Sequence, residues 1–210
     1  MKRIFIILAV LVAGASLTSC NMDNTKETQT DIKMENPVID NIMSRRTIRK
    51  FKGEAVAPDT MQTILECGIN APNGMNRQSW EVRVIDNPAV MEKFIGHIVN
   101  ANPQASAESV KGSFRGAPTL VAIAHDPSYD LSVIDCGLLS ENMILSAWSM
   151  GIGSVCLGIS TRFLKNSPEA IQMLGFSEGF NPILCIGFGY PDEAPQARPR
   201  DPEKVKFIEQ

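Results

Sequence analysis

The sequence predicts an α+β domain in which a central mixed sheet is flanked by helices, an α/β/α sandwich. Three observations lead there. Segments with apolar residues three and four apart alternate along the chain with short apolar or strictly alternating runs. The longest helical stretch, Leu131 to Met150, is apolar nearly all round, so it belongs in the interior of the domain. Two late apolar runs, Ile152–Leu157 and Ile183–Phe188, read as buried strands of one sheet.

In chain order, Pro37 opens a short helix whose apolar residues Val38, Ile39, Ile42 and Met43 recur at helical spacing, ending near the charged run RRTIRKF. Pro58 starts a second helix with Met61, Ile64, Leu65 and Gly68 on one face. Trp80–Asp86 alternates apolar and polar residues, the two-residue period of a half-buried strand. Pro88 begins a helix carrying Val90, Met91, Phe94, Ile95 and Ile98. Pro118–Ala124 is a continuous apolar run with the length and branching of a central strand. Helical material from Glu169 to Leu174 separates the last two strands. The segment from Asn100 to Arg115 carries no periodic pattern and is expected to cover part of a substrate site.

The N-terminus has its own logic. Lys2 and Arg3 precede an apolar run from Ile4 to Ala13, followed by Gly14, Ala15 and Ser16, the layout of a secretory signal peptide. The run falls short of the roughly 20 residues of a membrane-spanning helix. Leu17-Thr18-Ser19-Cys20 resembles the bacterial lipoprotein box, which implies acylation of Cys20 and an exported chain tethered to a bacterial membrane, on the periplasmic side or at the cell surface. Residues 21–36 are polar enough to form a flexible tether, leaving a single domain over residues 37–210.

Composition narrows the chemistry. A net charge of -3 and no basic block beyond Arg45-Arg46 argue against a nucleic-acid partner. Of five cysteines, four remain beyond Cys20: Cys67, Cys136, Cys156 and Cys185. None lies in a C-x-x-C pair, each sits in an apolar stretch, and a disulfide among them stays open. Neither His97 nor His125 has ligands at metal-binding spacing, and no G-x-S-x-G context marks a serine nucleophile.

Four segments carry candidate binding chemistry. In RRTIRKF, closely spaced guanidinium groups can clasp phosphate oxygens while Thr47 donates a hydroxyl, although a solvated basic loop has the same composition. APNGMNRQSW joins a helix to a strand and is dense in Asn and Gln, whose amides match the mixed donor and acceptor edge of a heterocycle. A plain turn accounts equally for its Pro72 and Gly74. In GIGSVCLG the glycines permit close approach of a flat ring, and the spacing is not that of G-x-G-x-x-G. GFGYP leads to Arg198-Pro199-Arg200, more cations than a strand exit requires.

In this order the four segments resemble the nitroreductase family of FMN-dependent oxidoreductases, across essentially all of the chain from Pro37 to Val205. RRTIRKF is similar to the family's R-R-S-x-R-x-F and APNGMNRQSW to its A-P-S-x-x-N-x-Q-P-W, with Thr47 and Ser79 departing from the commoner serine and proline. DCGLLSENMILSAWSMGIGSVCLG is similar to the long central helix and following strand, and GFGYPDEAPQARPRDP to the final strand and basic tail.

The resemblance implies a homodimer with FMN in the interface. Arg45, Arg46, Thr47 and Arg49 would bind the phosphate and ribityl end, Arg49 reaching toward the pyrimidine, and Arg198 and Arg200 would complete the phosphate clasp. Pro72, Asn73, Gly74, Asn76 and Gln78 would reach the cofactor from the neighbouring subunit, and Leu157 and Gly158 would lie against the isoalloxazine. It also implies a two-step reaction in which NAD(P)H gives up hydride and departs before a nitroaromatic, quinone or similar flat acceptor takes electrons, with no side chain needed as acid or base. An exported site meets little free NAD(P)H, so a membrane electron donor stands beside it. A flavin-binding lipoprotein without turnover and a structural surface lipoprotein are the alternatives.

Overall fold

The computed structural model describes residues 36–208. The expected signal peptide, Cys20 and all but the last residue of the tether lie outside the described residues.

Local chemistry sets most helix starts. α1 (Pro37–Ser44), α2 (Pro58–Ile69), α3 (Pro88–Ala101) and α7 (Pro168–Leu174) each begin at a proline, whose fixed φ suits the first turn and whose missing N–H is not needed there. Side chains of Asn36, Asn87 and Ser167 accept hydrogen bonds from free N–H groups of α1, α3 and α7. α7 stops at Gly175, which takes the left-handed conformation at φ 61°. The long helix is α5 (Ser132–Ser149). Two short helices had no counterpart in the sequence reading: α4 (Ala107–Ser113), with Val110 its one buried residue, and α6 (Gly158–Leu164), which begins directly at the strand exit. Seven residues span only two turns, too few for a 3.6-residue period to stand out.

The strands β1 (Trp80–Ile85), β2 (Thr119–His125), β3 (Gly153–Cys156) and β4 (Asn181–Gly189) form one sheet in the order β1-β2-β4-β3. All three pairings are antiparallel. The parallel pairing expected of a mixed sheet is confined to an isolated bridge between Thr47 and Ser154. β2 lies inside the sheet and is buried from Thr119 to Ala124, as its unbroken apolar run requires.

Alternation along β2 divides the interior into two layers. Val121 and Ile123 face α2 and α5, joined by Ile186 and Phe188 of β4. Leu120 and Ala122 face the other way, toward Phe94 and Ile98 of α3, Val110 of α4, Leu164 of α6 and Leu174 of α7. The result is a sandwich with helices on both faces of the sheet. Burial of each large side chain in these layers contributes roughly 1.5–3 kcal/mol. Gly68 lets α2 and α5 meet, since a Cβ there would lie 2.5 Å from the Met143 side chain.

Two helices carry uncovered apolar side chains. Val38, Ile39, Ile42 and Met43 of α1 and Val133, Ile134 and Leu138 of α5 are all exposed. The apolar periodicity of α1 therefore does not face the interior of its own chain. No helix among the described residues is long and apolar enough to cross a membrane.

Candidate functional site

The segment after α1 runs extended beside β3, with the Ile48 N–H donating to the Ser154 carbonyl at 3.0 Å. Ile48 is buried and lies so close to Gly153 that a Cβ there would sit 2.7 Å from it. With Ile48 turned inward, the two-residue alternation of extended chain aims Arg45, Thr47 and Arg49 outward together. All three line a cavity of about 350 Å³, completed by Glu141 and Ile144 of α5, the β3 exit from Val155 to Ile159, and Ser113 and Arg115. A carboxylate steadies the rim: Glu193 accepts from the backbone N–H of Arg49 and, at 3.1 Å, from that of Lys50.

The structure thus brings Arg45, Thr47, Arg49, Leu157 and Gly158 into one cavity. Arg46 does not line it; its guanidinium donates to the Met43 and Arg45 carbonyls at 2.9 and 2.8 Å. Arg198 and Arg200 are exposed and stand outside the lining, and Arg200 donates to the Arg198 and Pro199 carbonyls. The amide segment is also elsewhere in its own chain. The Gly74 N–H donates to Asp135 in the first turn of α5, nine residues before the cavity residue Ile144, a rise of about 13 Å along the helix. Within the segment the Gln78 N–H donates to Asn73 Oδ1 at 2.9 Å, and Arg77 stacks 4.5 Å above the Tyr129 ring. Pro72, Asn76 and Gln78 are exposed, while Asn73 and Gly74 are half-buried.

Sequence reasoning did not single out Ser113, Arg115, Glu141, Ile144, Val155, Cys156 and Ile159. Arg115 ends the segment that had no periodic pattern, and it takes the left-handed conformation at φ 60° just before Gly116. Gly116, following Arg115, is the signal in the sequence that marks this turn. Glu141 was hidden by reading α5 as an all-round interior helix, which left no reason to separate its polar positions.

Electrostatically the cavity is cationic, with three arginines against Glu141. The Cys156 side chain opens onto it, and desolvation by the surrounding wall, then the Glu141 carboxylate, push its thiol above the ordinary range, while Arg45 pulls the other way. The thiol is therefore protonated at neutral pH. Cys136 and Cys185, buried in the two core layers, are pushed up to about 12. Cys67, Cys136, Cys156 and Cys185 are all free thiols.

Space and chemistry suit a flat, phosphorylated ligand. The volume falls within the ~300–1,000 Å³ of small-molecule sites. The lining combines guanidinium groups and Thr47 with the apolar Ile144, Val155 and Leu157. Gly158 is exposed, and a Cβ added there would meet nothing within 4 Å beyond its own chain neighbours and helix backbone, so this position leaves open space.

The family model for the nitroreductase family matches residues 42–190. The NADPH-flavin oxidoreductase of Vibrio harveyi is 28% identical over 177 residues, covering 81% of this chain and 72% of its own. A nitroreductase with bound FMN from Desulfitobacterium hafniense superposes with a TM-score of 0.74 at 28% identity, over 84% of this chain and 100% of that one. A nitroreductase with bound FMN from Bacteroides fragilis superposes with a TM-score of 0.75 over 83% of this chain and 100% of its own; at 24% identity that likeness speaks for the fold alone.

Proposed function

Since the chain belongs to the nitroreductase family, we propose that it is an FMN-dependent oxidoreductase that works as a homodimer and reduces nitroaromatics, quinones or other flat acceptors with electrons from NAD(P)H or a membrane donor. The observation that carries this reading is the single cavity that unites Arg45, Thr47 and Arg49 with Leu157 and the empty space before Gly158.

Bound FMN would supply the ring that takes up hydride and hands electrons on. The chain's own residues orient and stabilise. Arg45 and Thr47 would hold the phosphate and ribityl end, where charge-assisted hydrogen bonds to guanidinium are strong and directional. Arg49 would place a fixed positive charge where the reduced ring gathers negative charge, and such pre-set charge needs no rearrangement during reaction. Leu157 offers an apolar surface to the ring, and Gly158 leaves its edge unobstructed. The protonated Cys156 adds neither a second anion nor a thiolate nucleophile. Arg115, also in the lining, adds a further cation for an anionic portion of donor or acceptor.

The dimer is supported by the uncovered apolar faces of α1 and α5. The amide segment adjoins the N-terminal part of that α5 face, so a second copy seated there would receive Asn76 and Gln78 at its own cofactor. Arg198 and Arg200 would reach a phosphate only across the dimer or after the tail moves.

Visible absorbance tests the cofactor reading: protein given FMN and freed of excess should keep flavin bands that bleach when NADH or NADPH is added without oxygen. A folded dimer that retains no flavin overturns it. Export and membrane attachment through Cys20 are proposed on the sequence of the N-terminus alone. Cys20→Ser should release the protein from the membrane fraction, and unchanged membrane association would refute lipid anchoring.

A further inference from the structure

We infer that Asp135 is a positioning residue that latches the amide segment in a strained shape, presenting Asn76 and Gln78 preformed to the cofactor of a second copy. The inference rests on the cofactor reading above.

Strain is the first observation. Met75, Asn76 and Gln78 have φ of 51°, 53° and 49°, so three of four consecutive residues are left-handed and none is glycine. Glycine would adopt this backbone without steric penalty. Asn76 tolerates this region, whereas Met75 and Gln78 bear its steric cost, and the amide side chains of Asn76 and Gln78 are both exposed. Clustered backbone strain persists only where the surroundings over-determine it, and it concentrates at functional sites.

The over-determining group is identifiable. Asp135 is 3% exposed, and its two carboxylate oxygens bracket the strained residues. One accepts from the Gly74 N–H at 3.0 Å, just before Met75, and the other from the Ser79 hydroxyl at 3.0 Å, just after Gln78. Asn73 strengthens the loop from inside through its bond to the Gln78 N–H, so this amide serves as a strut and is not offered outward. Tyr129 closes the remaining side: its ring carries Arg77, and its hydroxyl lies 2.0 Å from where a Cβ on Gly74 would be. Asp135 and Tyr129 belong to α5 and the turn before it, and neither is bonded to the side-chain amides of Asn76 or Gln78. A turn that merely joins α2 to β1 has no need of this arrangement.

The test compares Asp135→Ala, Asp135→Asn and Ile98→Ala in the full dimeric protein. Ile98 is fully buried in the opposite core layer, so its truncation destabilises the fold without touching the loop. FMN affinity is read by flavin fluorescence, thermal stability by the melting temperature, and loop order by hydrogen exchange at Gly74–Ser79 in flavin-free protein. We expect Asp135→Ala to bind FMN at least about tenfold more weakly and to lose protection at the Gly74 amide, whereas Ile98→Ala, with a comparable drop in Tm, stays within about threefold of wild type. Asp135→Asn should restore most of the affinity, because its oxygen still accepts from Gly74 and its amide can donate to the Ser79 hydroxyl. If the alanine variant does not fold, Ser79→Ala removes one arm of the latch and should weaken FMN binding about threefold more than Ile98→Ala does. Equal affinity losses in the latch and Ile98 variants overturn the inference and leave the cofactor reading intact. Wild-type protein that takes up no FMN removes both.

Discussion

Arg45 and Arg46 are adjacent, equally charged and equally plausible as phosphate ligands from sequence, yet the extended backbone sends them to opposite sides. Arg45 lines the cavity, whereas Arg46 binds carbonyls at the end of its own helix. A hydrogen bond to a charged group contributes about 1.5–3 kcal/mol, so Arg45→Ala should weaken FMN binding roughly ten- to a hundredfold in a fluorescence titration. Arg46→Ala should change it less than about threefold, because only screened, longer-range charge is lost. Equal losses at the two positions would show that the alternation does not govern the site. Gly158→Ala separates site from fold in the same way. The added methyl meets nothing in the chain, so stability should shift by no more than about 1 kcal/mol while FMN affinity falls. Residue types were legible here, but their directions were not: the buried Ile48 between Thr47 and Arg49 holds the clue to alternation, and it becomes decisive only once Gly153 is known to lie against it.

Among the elements, α1, α2 and α3 announce themselves by their prolines, while α4 and α6 stay hidden because two turns carry too little periodic signal. α1 and α5 teach a different lesson. Each is apolar on a face that its own chain leaves open: Ile39 is 56% exposed and Ile134 58%. The apolar spacing leads one to expect burial at these positions, but the described chain leaves them exposed. Sedimentation of the wild-type protein should therefore report a dimer, and Ile134→Glu combined with Leu138→Glu should shift it toward monomer, since a carboxylate buried without a partner costs several kcal/mol. The same change should weaken FMN binding if the partner completes the site. A dimer unaffected by these substitutions would place the interface elsewhere.

At the scale of the whole molecule, the sandwich couples the end of β2 to the start of α5 through His125, whose Nδ1 lies 2.9 Å from the Ser132 hydroxyl. Burial first, and then the charge of Lys165, hold the His125 pKa below its ordinary 6.5, against an opposing pull from Asp126. The sign follows from proton counting. As pH falls below 6.5, the unfolded chain gains a proton at this histidine before the folded one does, so its contribution is full above 6.5 and declines below it. Urea midpoints should therefore be higher near pH 7.5 than near pH 5.5, and His125→Gln should reduce that difference. An unchanged difference would assign the pH dependence to other groups.

Legible in the chain alone were five of the seven described helices, the four strands with their buried β2, the family resemblance and the cations of RRTIRKF as candidates for an anion, because apolar periodicity, proline starts and residue type are local properties. Only the tertiary structure decided which cations share a cavity, that Arg115, Glu141 and Cys156 join them, and that Asp135 grips a loop 61 residues away in the chain. Those facts depend on which way each side chain points and on which distant segments the sheet brings together. Both are consequences of packing, which spacing along the chain does not encode.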